Sequence, residues 1–255
     1  MDNILRIEHI EKFYGSRGNV VKALDDISFK VAEGEFSGIM GPSGSGKTTL
    51  LNCISTIDMV SAGNIYIGGK NITELKEKEM ARFRRENLGF IFQDYSLLET
   101  LSIKENIELM LSVNQVSVDE AEEKILKIAE ELGISGILEK FPNEVSGGES
   151  QRCACARAMV NKPKIVLADE PTGALDSHSS KLLLQLFEKM NERRNVTILM
   201  VTHDAFTASY AKRILFLKDG RVFTEIRRGS KNRKEFFNEI LDVMAVLGGD
   251  LSDVR

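Results

Sequence analysis

A glycine-rich segment, Gly41-Pro42-Ser43-Gly44-Ser45-Gly46-Lys47-Thr48-Thr49, has the residue types and spacing of a phosphate-binding loop. An apolar run predicted to be a strand precedes it, and a predicted helix follows from Leu50. Glycines let backbone N–H groups curl around a phosphate, and the helix N-terminus adds free N–H donors. Lys47 is expected to reach the terminal phosphates, and the Thr48 hydroxyl to hold Mg²⁺. The alternative, a surface turn that matches by chance, is disfavoured by the flanking strand and helix.

Further polar residues follow predicted strands that are apolar throughout. They are Gln93, the pair Asp169 and Glu170, and His203. Strands without polar alternation are buried on both faces, as in a parallel sheet covered by helices. Ligands of such sheets bind beyond the carboxyl ends of the strands. We therefore expect these side chains to meet Lys47 at one site. The alternative is that they are ordinary polar groups at strand ends.

The rest of the pattern predicts the surrounding elements. Alternating residues at 4–13 and 24–36 predict an antiparallel layer with one wet face. The segment from about 94 to 160 reads as a helical sub-domain inserted in the α/β core, with helices at Ile103–Val113, at Ser117–Leu132 and from about Glu149 to Asn161. Asp219-Gly220 predicts a hairpin turn. We predict a domain at residues 1–230 and an extension at 231–255.

The extension contains a predicted amphipathic helix at residues 231–247. Its apolar side is predicted to carry Phe236, Phe237, Ile240, Leu241, Met244 and Leu247. Such a stripe usually packs on its own domain, and the alternative is a surface for a partner.

Composition narrows the functional classes. The 255 residues are 28% charged and 42% hydrophobic, with a formal net charge of −4, which is ordinary for a globular protein. No long Lys/Arg run is present, so nucleic acid is not an expected partner. No apolar run is long enough to span a bilayer, and no signal-peptide core is expected. Cys53, Cys153 and Cys155 are predicted to be buried, reduced thiols; a metal or redox pair at the last two lacks neighbouring His or Cys ligands.

Taken together, the motifs resemble those of the ATPase subunits of ABC transporters, over about residues 4–228. The matching positions are Tyr14 (the aromatic residue that stacks on adenine), Gly41–Thr49 (Walker A), Gln93 (the Q-loop), Val145-Ser146-Gly147-Gly148-Glu149 (the signature motif), Ile165–Glu170 (Walker B), Ala174-Leu175-Asp176 (the D-loop) and His203 (the switch histidine). The resemblance implies a P-loop NTPase fold of the ABC type, with a mostly parallel core sheet and an N-terminal antiparallel layer.

The resemblance also implies a mechanism, with ATP as substrate and Mg²⁺ as cofactor. Each site of a head-to-tail dimer would join Walker A of one copy to Ser146, Gly147 and Gly148 of the other. Thr48, Gln93 and Asp169 would hold Mg²⁺, Glu170 would act as general base, and His203 would contact the γ-phosphate. Residues 94–110 are the predicted docking surface for a membrane permease, which would hold the chain at the inner face of the cell membrane.

One position departs from the common signature, L-S-G-G-Q. Glu149 replaces a neutral amide with a carboxylate near where the partner's nucleotide would lie. This carboxylate would either weaken the contact by like-charge repulsion or face a ribose hydroxyl. We predict that the ATP-driven dimer is weak without the membrane partner.

Finer sequence features are similar to one group of these transporters. Residues 55–58, 90–101 and 236–249 resemble the ATPases of bacitracin-type exporters, which act in resistance to, or sensing of, peptide antibiotics. The implied partners are a permease of about ten transmembrane helices and, through it, a sensor histidine kinase. The alternative within the family is an ATPase of macrolide-efflux or lipoprotein-release complexes.

Two other classes remain as rivals. A soluble ABC ATPase of DNA repair needs a long coiled coil, and residues 50–145 hold no sustained heptad run. A translation factor of this kind carries two tandem ATPase units, whereas these motifs occur once. A regulatory subunit without turnover is disfavoured because Glu170 and His203 are both present.

Overall fold

The computed structural model describes residues 3–15 and 19–248. Alternating residues at the N-terminus form a four-stranded antiparallel sheet of order β2-β1-β4-β5, as predicted. Its strands are β1 (Asn3–Tyr14), β2 (Val21–Ala32), β4 (Ala62–Ile67) and β5 (Lys70–Asn71). The strand predicted at residues 24–36 extends too far at its C-terminal end, since β2 ends at Ala32. The chain turns after Ala32, whose carbonyl accepts from Glu35 N at 3.1 Å, and a new strand begins at Phe36.

The continuous apolar runs form a six-stranded sheet of order β10-β9-β3-β8-β7-β6. Its strands are β3 (Phe36–Met40), β6 (Leu88–Ile91), β7 (Ile165–Asp169), β8 (Ile198–Val201), β9 (Arg213–Lys218) and β10 (Arg221–Arg227). All neighbouring pairs are parallel except the β9–β10 hairpin, which turns through Asp219-Gly220. Every residue of β3 and β8 is buried, because helices cover one face of this sheet, and the antiparallel sheet and further helices cover the other. The predicted α/β fold with a mostly parallel core sheet is confirmed.

Helices cover the parallel sheet and form a separate helical region. They are α1 (Lys47–Ile54), α2 (Glu77–Asn87), α3 (Ile103–Val113), α4 (Val118–Leu132), α5 (Gly147–Met159), α6 (Ser177–Arg194), α7 (Ala205–Ala208) and α8 (Arg233–Gly248). Two predicted starts are corrected: α1 begins at Lys47, not Leu50, and α5 at Gly147, not Glu149. The reason for the second is that Ser146 caps α5 by accepting from Glu149 N. The short helix α7 was not predicted.

The segment between β6 and β7 is helical, as the sequence indicates. A capping box at Ser102 and Glu105 starts α3. Ser117, where a helix was predicted to begin, is the N-cap of α4, but its side chain accepts no capping bond from the residues described. Apolar residues such as Ile107 and Ile125 are buried in the cluster that also covers one face of the parallel sheet. The domain boundaries themselves stay predictions.

The C-terminal helix α8 lies against the domain. Phe236, Ile240 and Leu247 are buried in the main core cluster, and Phe237 and Met244 are half-buried against it. Leu241, predicted on the same side, is instead exposed because it points away from this cluster. The predicted turn at 16–18 and the end of the extension, 249–255, lie outside the described residues.

Two predictions from composition can be compared with the fold. In the part of the chain that the structure describes, no helix combines the length and apolar character needed to cross a membrane. Cys53, Cys153 and Cys155 are buried and unpaired, as predicted. Burial raises the pKa of Cys53 and Cys153 to about 12, so these thiols stay neutral.

Candidate active site

A cleft of about 890 Å³ opens beyond the carboxyl ends of the parallel strands. Lys47 and Thr48 line it from the start of α1, and Glu170 and His203 line it from the ends of β7 and β8. The convergence inferred from strand ends is therefore present for these residues. The volume lies in the range of ligand pockets.

The glycine-rich loop Gly41–Thr49 forms the floor of this cleft. Gly46 has a φ of 97°, and a Cβ there would lie 2.6 Å from Ala23 O, so only glycine allows the turn into α1. The Lys47 ammonium donates to Gly41 O and Pro42 O at 2.9 Å each. Burial lowers the pKa of Lys47, while Glu170 and Asp169 oppose this shift. A half-buried cation at a helix N-terminus is the arrangement that a polyphosphate requires.

One atom of the loop supports this interpretation further. Ser45 Oγ is buried and has no hydrogen-bond partner among the described residues. A buried hydroxyl without a partner costs free energy unless a ligand or water satisfies it. Together with Lys47 and the free N–H groups at the start of α1, the Ser45 hydroxyl makes the loop suited to bind a nucleoside triphosphate.

Glu170 and His203 form a hydrogen-bonded pair inside the cleft. His203 Nδ1 lies 2.8 Å from Glu170 Oε1. Glu170 has a left-handed φ of 45°, which is uncommon for a glutamate, and its N–H donates to Val201 O at 2.9 Å. Strained backbone of this kind concentrates at functional sites. The turn aims the carboxylate into the cleft, while the imidazole, 73% exposed, has its other face free.

Asp169 is the last residue of β7 and is half-buried beside the cleft. Burial raises the pKa of Asp169, Glu170 raises it further, and Lys47 opposes them. Within the described residues, no group of three or more His, Cys, Asp or Glu side chains could hold a metal ion. The predicted ligands Thr48 and Asp169 offer hard oxygen atoms, and Mg²⁺ commonly completes such a set with water and phosphate oxygens. The donor chemistry therefore fits Mg²⁺ bound together with a nucleotide.

Two predicted residues stand outside the cleft. Gln93 is exposed, and its side chain lies against Gly173, where a Cβ would come within 2.9 Å of its Cδ. Tyr14 does not line the cleft either, and its ring is 41% exposed. The Tyr14 hydroxyl donates to Asp58 Oδ2 at 2.6 Å, and Lys12 Nζ lies 4.8 Å from its ring centroid. Their roles in binding stay predictions.

The signature segment is separate from the cleft of its own chain. Ser146 and Gly147 are exposed at the N-terminus of α5, and none of residues 145–149 lines the cleft. Glu149 Oε2 accepts from Ser146 N and from Ser146 Oγ, both at 2.8 Å. These bonds lower the pKa of Glu149, the backbone N–H most, so the carboxylate is ionised at neutral pH. Gly148 is closely packed, because a Cβ there would lie 2.8 Å from Ser179 Oγ.

Comparison with known proteins decides the family. A sequence model of the ABC transporter family matches residues 24–173. The chain belongs to the ABC transporter family. It is 50% identical to the bacitracin export ATP-binding protein BceA of Halalkalibacterium halodurans, over 98% of this chain and 99% of that protein. It is 52% identical to the ABC transporter ATP-binding protein YxdL of Bacillus subtilis, over the full length of both.

Solved structures agree. The ATP-binding cassette MJ0796 of Methanocaldococcus jannaschii, a dimer in a post-hydrolysis state bound to ADP and Pi, superposes with a TM-score of 0.80. It is 37% identical over 88% of this chain and 98% of that one. As a member of the ABC transporter family, this protein is an ATP-binding ATPase. The comparisons support the family and its activity.

Sequence reasoning missed a residue that connects three motifs of this ABC ATPase. Gln151, fully buried in α5, donates from Nε2 to Phe92 O at 3.2 Å and to Pro171 O at 2.6 Å. It therefore ties the signature helix to the segments that carry Gln93 and Glu170. A glutamine in a helix reads from sequence as a solvated residue, so only the packing identifies it. For Asp58, the sequence indicated only that residues 55–58 resemble bacitracin-type ATPases, whereas its carboxylate accepts from the Tyr14 hydroxyl.

Proposed function

We propose that this ABC ATPase hydrolyses ATP in the cleft of Lys47, Glu170 and His203 and so drives a separate membrane permease. The 2.8 Å contact between Glu170 and His203, beside the phosphate-binding loop, is the observation that carries the catalytic part. Glu170 would accept the proton of the attacking water, and His203 would bind the γ-phosphate. Lys47 and the N–H groups of α1 would bind the phosphates and compensate their charge.

Mg²⁺, when bound, supplies charge neutralisation on the phosphates. Thr48 and Asp169 would hold it through oxygen atoms. Gln93 is proposed as a further ligand, which requires its side chain to leave Gly173. Tyr14 is proposed to stack on adenine, held in place by its bond to Asp58.

A second copy of the chain is proposed to complete each site. Support comes from the exposure of Ser146 and Gly147 on a surface that the cleft of the same chain does not use. The related cassette MJ0796 is dimeric in its solved structures, at 37% and 38% identity. In a head-to-tail dimer, the N-terminus of α5 would face the nucleotide of the other copy.

The proposed permease site is an apolar groove of about 610 Å³ between α2, α3 and the segment after β6. Leu98, which is 46% exposed, lines it together with Leu109 and Val113. Arg84 and Arg85 border it on α2. The groove includes part of the segment 94–110 predicted from sequence, and it adds α2. An exposed apolar groove rimmed by charges is typical of a protein interface.

Substitution at Leu98 tests the permease proposal. Leu98→Glu should abolish co-purification with a bacitracin-type permease in detergent, because it places a charge in the groove. Leu97 is a poorer choice, since it is partly buried against the core. Val118→Glu is the matched control, because Val118 is 75% exposed on α4 and does not line the groove. ATP binding should be unchanged in both variants. Co-purification of Leu98→Glu at the control level would contradict the proposed docking site.

The proposed substrate class is peptide antibiotics, as in bacitracin-type systems, with a sensor kinase reached through the permease. It is supported by the bacitracin export ATP-binding protein, which matches this chain end to end, whereas the MJ0796 relative leaves a tenth of this chain unmatched. The alternative is a macrolide-efflux or lipoprotein-release complex, since one macrolide export ATP-binding/permease protein is 40% identical over 87% of this chain. Susceptibility of cells that carry the transporter, with Glu170→Gln as control, distinguishes the two. Protection against macrolides but not bacitracin would contradict the proposal.

A further inference from the structure

The C-terminal helix α8 reaches the same cleft as the predicted catalytic residues. Met244 and Leu247, near its end, line the cleft with Glu170 and His203. Leu247 is also buried in the core cluster that contains Ala205 and Ala208 of α7. The end of α8 therefore lines the cleft and belongs to the same core cluster as α7, which α8 contacts.

Side-chain contacts also join the start of α8 to residues in and just after α7. The guanidinium of Arg233 lies 3.8 Å from the ring centroid of Tyr210 and donates to Glu188 of α6 at 2.8 Å. Tyr210 in turn packs edge-on against Phe206 of α7, with ring centroids 5.5 Å apart. Phe236 and Ile240, which lie between Arg233 and Leu247 in the helix, are fully buried in the same core cluster.

Hydrogen bonds in turn connect α7 to the segments that carry His203 and Glu170. Asp204 caps it by accepting from Phe206 N at 3.2 Å and from Thr207 N at 2.8 Å. Thr207 Oγ1 lies 2.9 Å from Thr172 Oγ1, two residues beyond Glu170. A movement of α7 would therefore shift His203 relative to Glu170.

The His203 ring is weakly held by its own contacts. Its ring is 73% exposed, and the hydrogen bond to Glu170 fixes only one of its nitrogens. A helix of four residues, such as α7, is too short to be stable without tertiary packing. We propose that α8 is a positioning element for catalysis: it holds α7, and through α7 it holds His203 in register with Glu170. The inference rests on the proposed roles of His203 and Glu170.

Alanine substitution of Leu247 tests this in the full-length chain. Leu247→Ala should lower kcat for ATP about tenfold, with KM changed less than twofold, because a small misplacement affects the chemical step more than binding. Val246→Ala is the matched control, since Val246 is exposed one position earlier on α8. Leu247→Met should restore most of the activity. In a His203→Ala background, Leu247→Ala should cause no further loss, because the two changes act through one group.

A second measurement does not depend on turnover. Hydrogen exchange of the backbone amides of residues 202–210 should be faster in Leu247→Ala than in Val246→Ala. Met244→Ala, which removes a half-buried side chain, should show a smaller change of the same kind and serves if Leu247→Ala does not fold. Equal exchange in the substituted and control proteins, or an additive loss of activity in the His203→Ala background, would overturn the inference. Absence of ATPase activity from the unsubstituted protein would instead count against the proposed function.

Discussion

Replacing Glu149 with glutamine removes one negative charge from the segment that would face the partner's nucleotide in the proposed dimer. The carboxylate lies 2.8 Å from the Ser146 hydroxyl and is ionised at neutral pH. A phosphate oxygen that accepted the Ser146 hydroxyl proton in place of Glu149 would lie about 5 Å from the carboxylate. The two negative groups would therefore repel each other whenever the dimer closes on ATP.

The size of this repulsion follows from the distance and the exposure. Glu149 is only partly buried in the single chain, so the dielectric constant of water gives a lower bound for the repulsion in the closed dimer. At about 5 Å, two unit charges then repel by about 0.8 kcal/mol. A head-to-tail dimer contains two such sites, which makes about 1.7 kcal/mol in total, or roughly a 20-fold change in the dimer dissociation constant.

Sedimentation velocity with Mg-ATP measures this constant directly. Both proteins should carry Glu170→Gln so that ATP is not consumed. Glu149→Gln should then dimerise about 20-fold more tightly, and added salt should reduce the difference. Glu144→Gln is the matched control, because Glu144 makes the same kind of contact, to Phe141 N at 2.8 Å, outside the signature. Equal dissociation constants for Glu149→Gln and the control, or a tight ATP-bound dimer of the chain with Glu149 intact, would refute the reasoning.

Three further predictions concern single side chains. Gln151→Leu should lower the free energy of unfolding by about 1–2 kcal/mol, measured by denaturant titration, because Phe92 O and Pro171 O lose their donor while the loss of Gln151 Oε1, which has no partner among the described residues, offsets part of the cost. Burial, and then Glu170, raises the pKa of Asp169 in the folded protein. The contribution of Asp169 to the free energy of unfolding is therefore greatest at low pH and is lost as the pH rises through that pKa. Asp169→Asn should therefore raise the melting temperature of the ligand-free protein at neutral pH but not at pH 3, and a reversed trend would contradict this. Tyr14→Ala should weaken ATP binding by about 1–3 kcal/mol in a nucleotide titration, whereas Tyr14→Phe should retain most of the affinity.

Local patterns predicted much of the fold. The parallel core follows from apolar runs such as residues 196–202, because only strands covered on both faces lack polar alternation. The loop at Gly41–Thr49 could be recognised because its chemistry depends on contiguous residues. The ends of helices were predicted less well. Helix α5 begins two residues before its predicted start, because Ser146 provides the N-terminal cap.

The parts that sequence could not predict depend on long-range packing. Gln151 reaches Phe92 and Pro171 across 59 and 20 residues, and no local pattern marks it as buried. The contact of α8 with the cleft is similar, since the apolar stripe indicated packing but not the surface that receives it. For Gln93, the sequence predicted its place after a strand but not the direction of its side chain. That side chain lies against Gly173, outside the cleft.

ATPase activity of the purified protein, with and without Glu170→Gln, tests the central claim most directly. Glu170 lies in the cleft with Lys47 and contacts His203, so we predict that the unsubstituted protein hydrolyses ATP. The Glu170→Gln protein should bind Mg-ATP with similar affinity, because the phosphate-binding loop is intact, but its turnover should fall by at least about 100-fold. Turnover by Glu170→Gln at the rate of the unsubstituted protein would contradict the assignment of Glu170 as the general base.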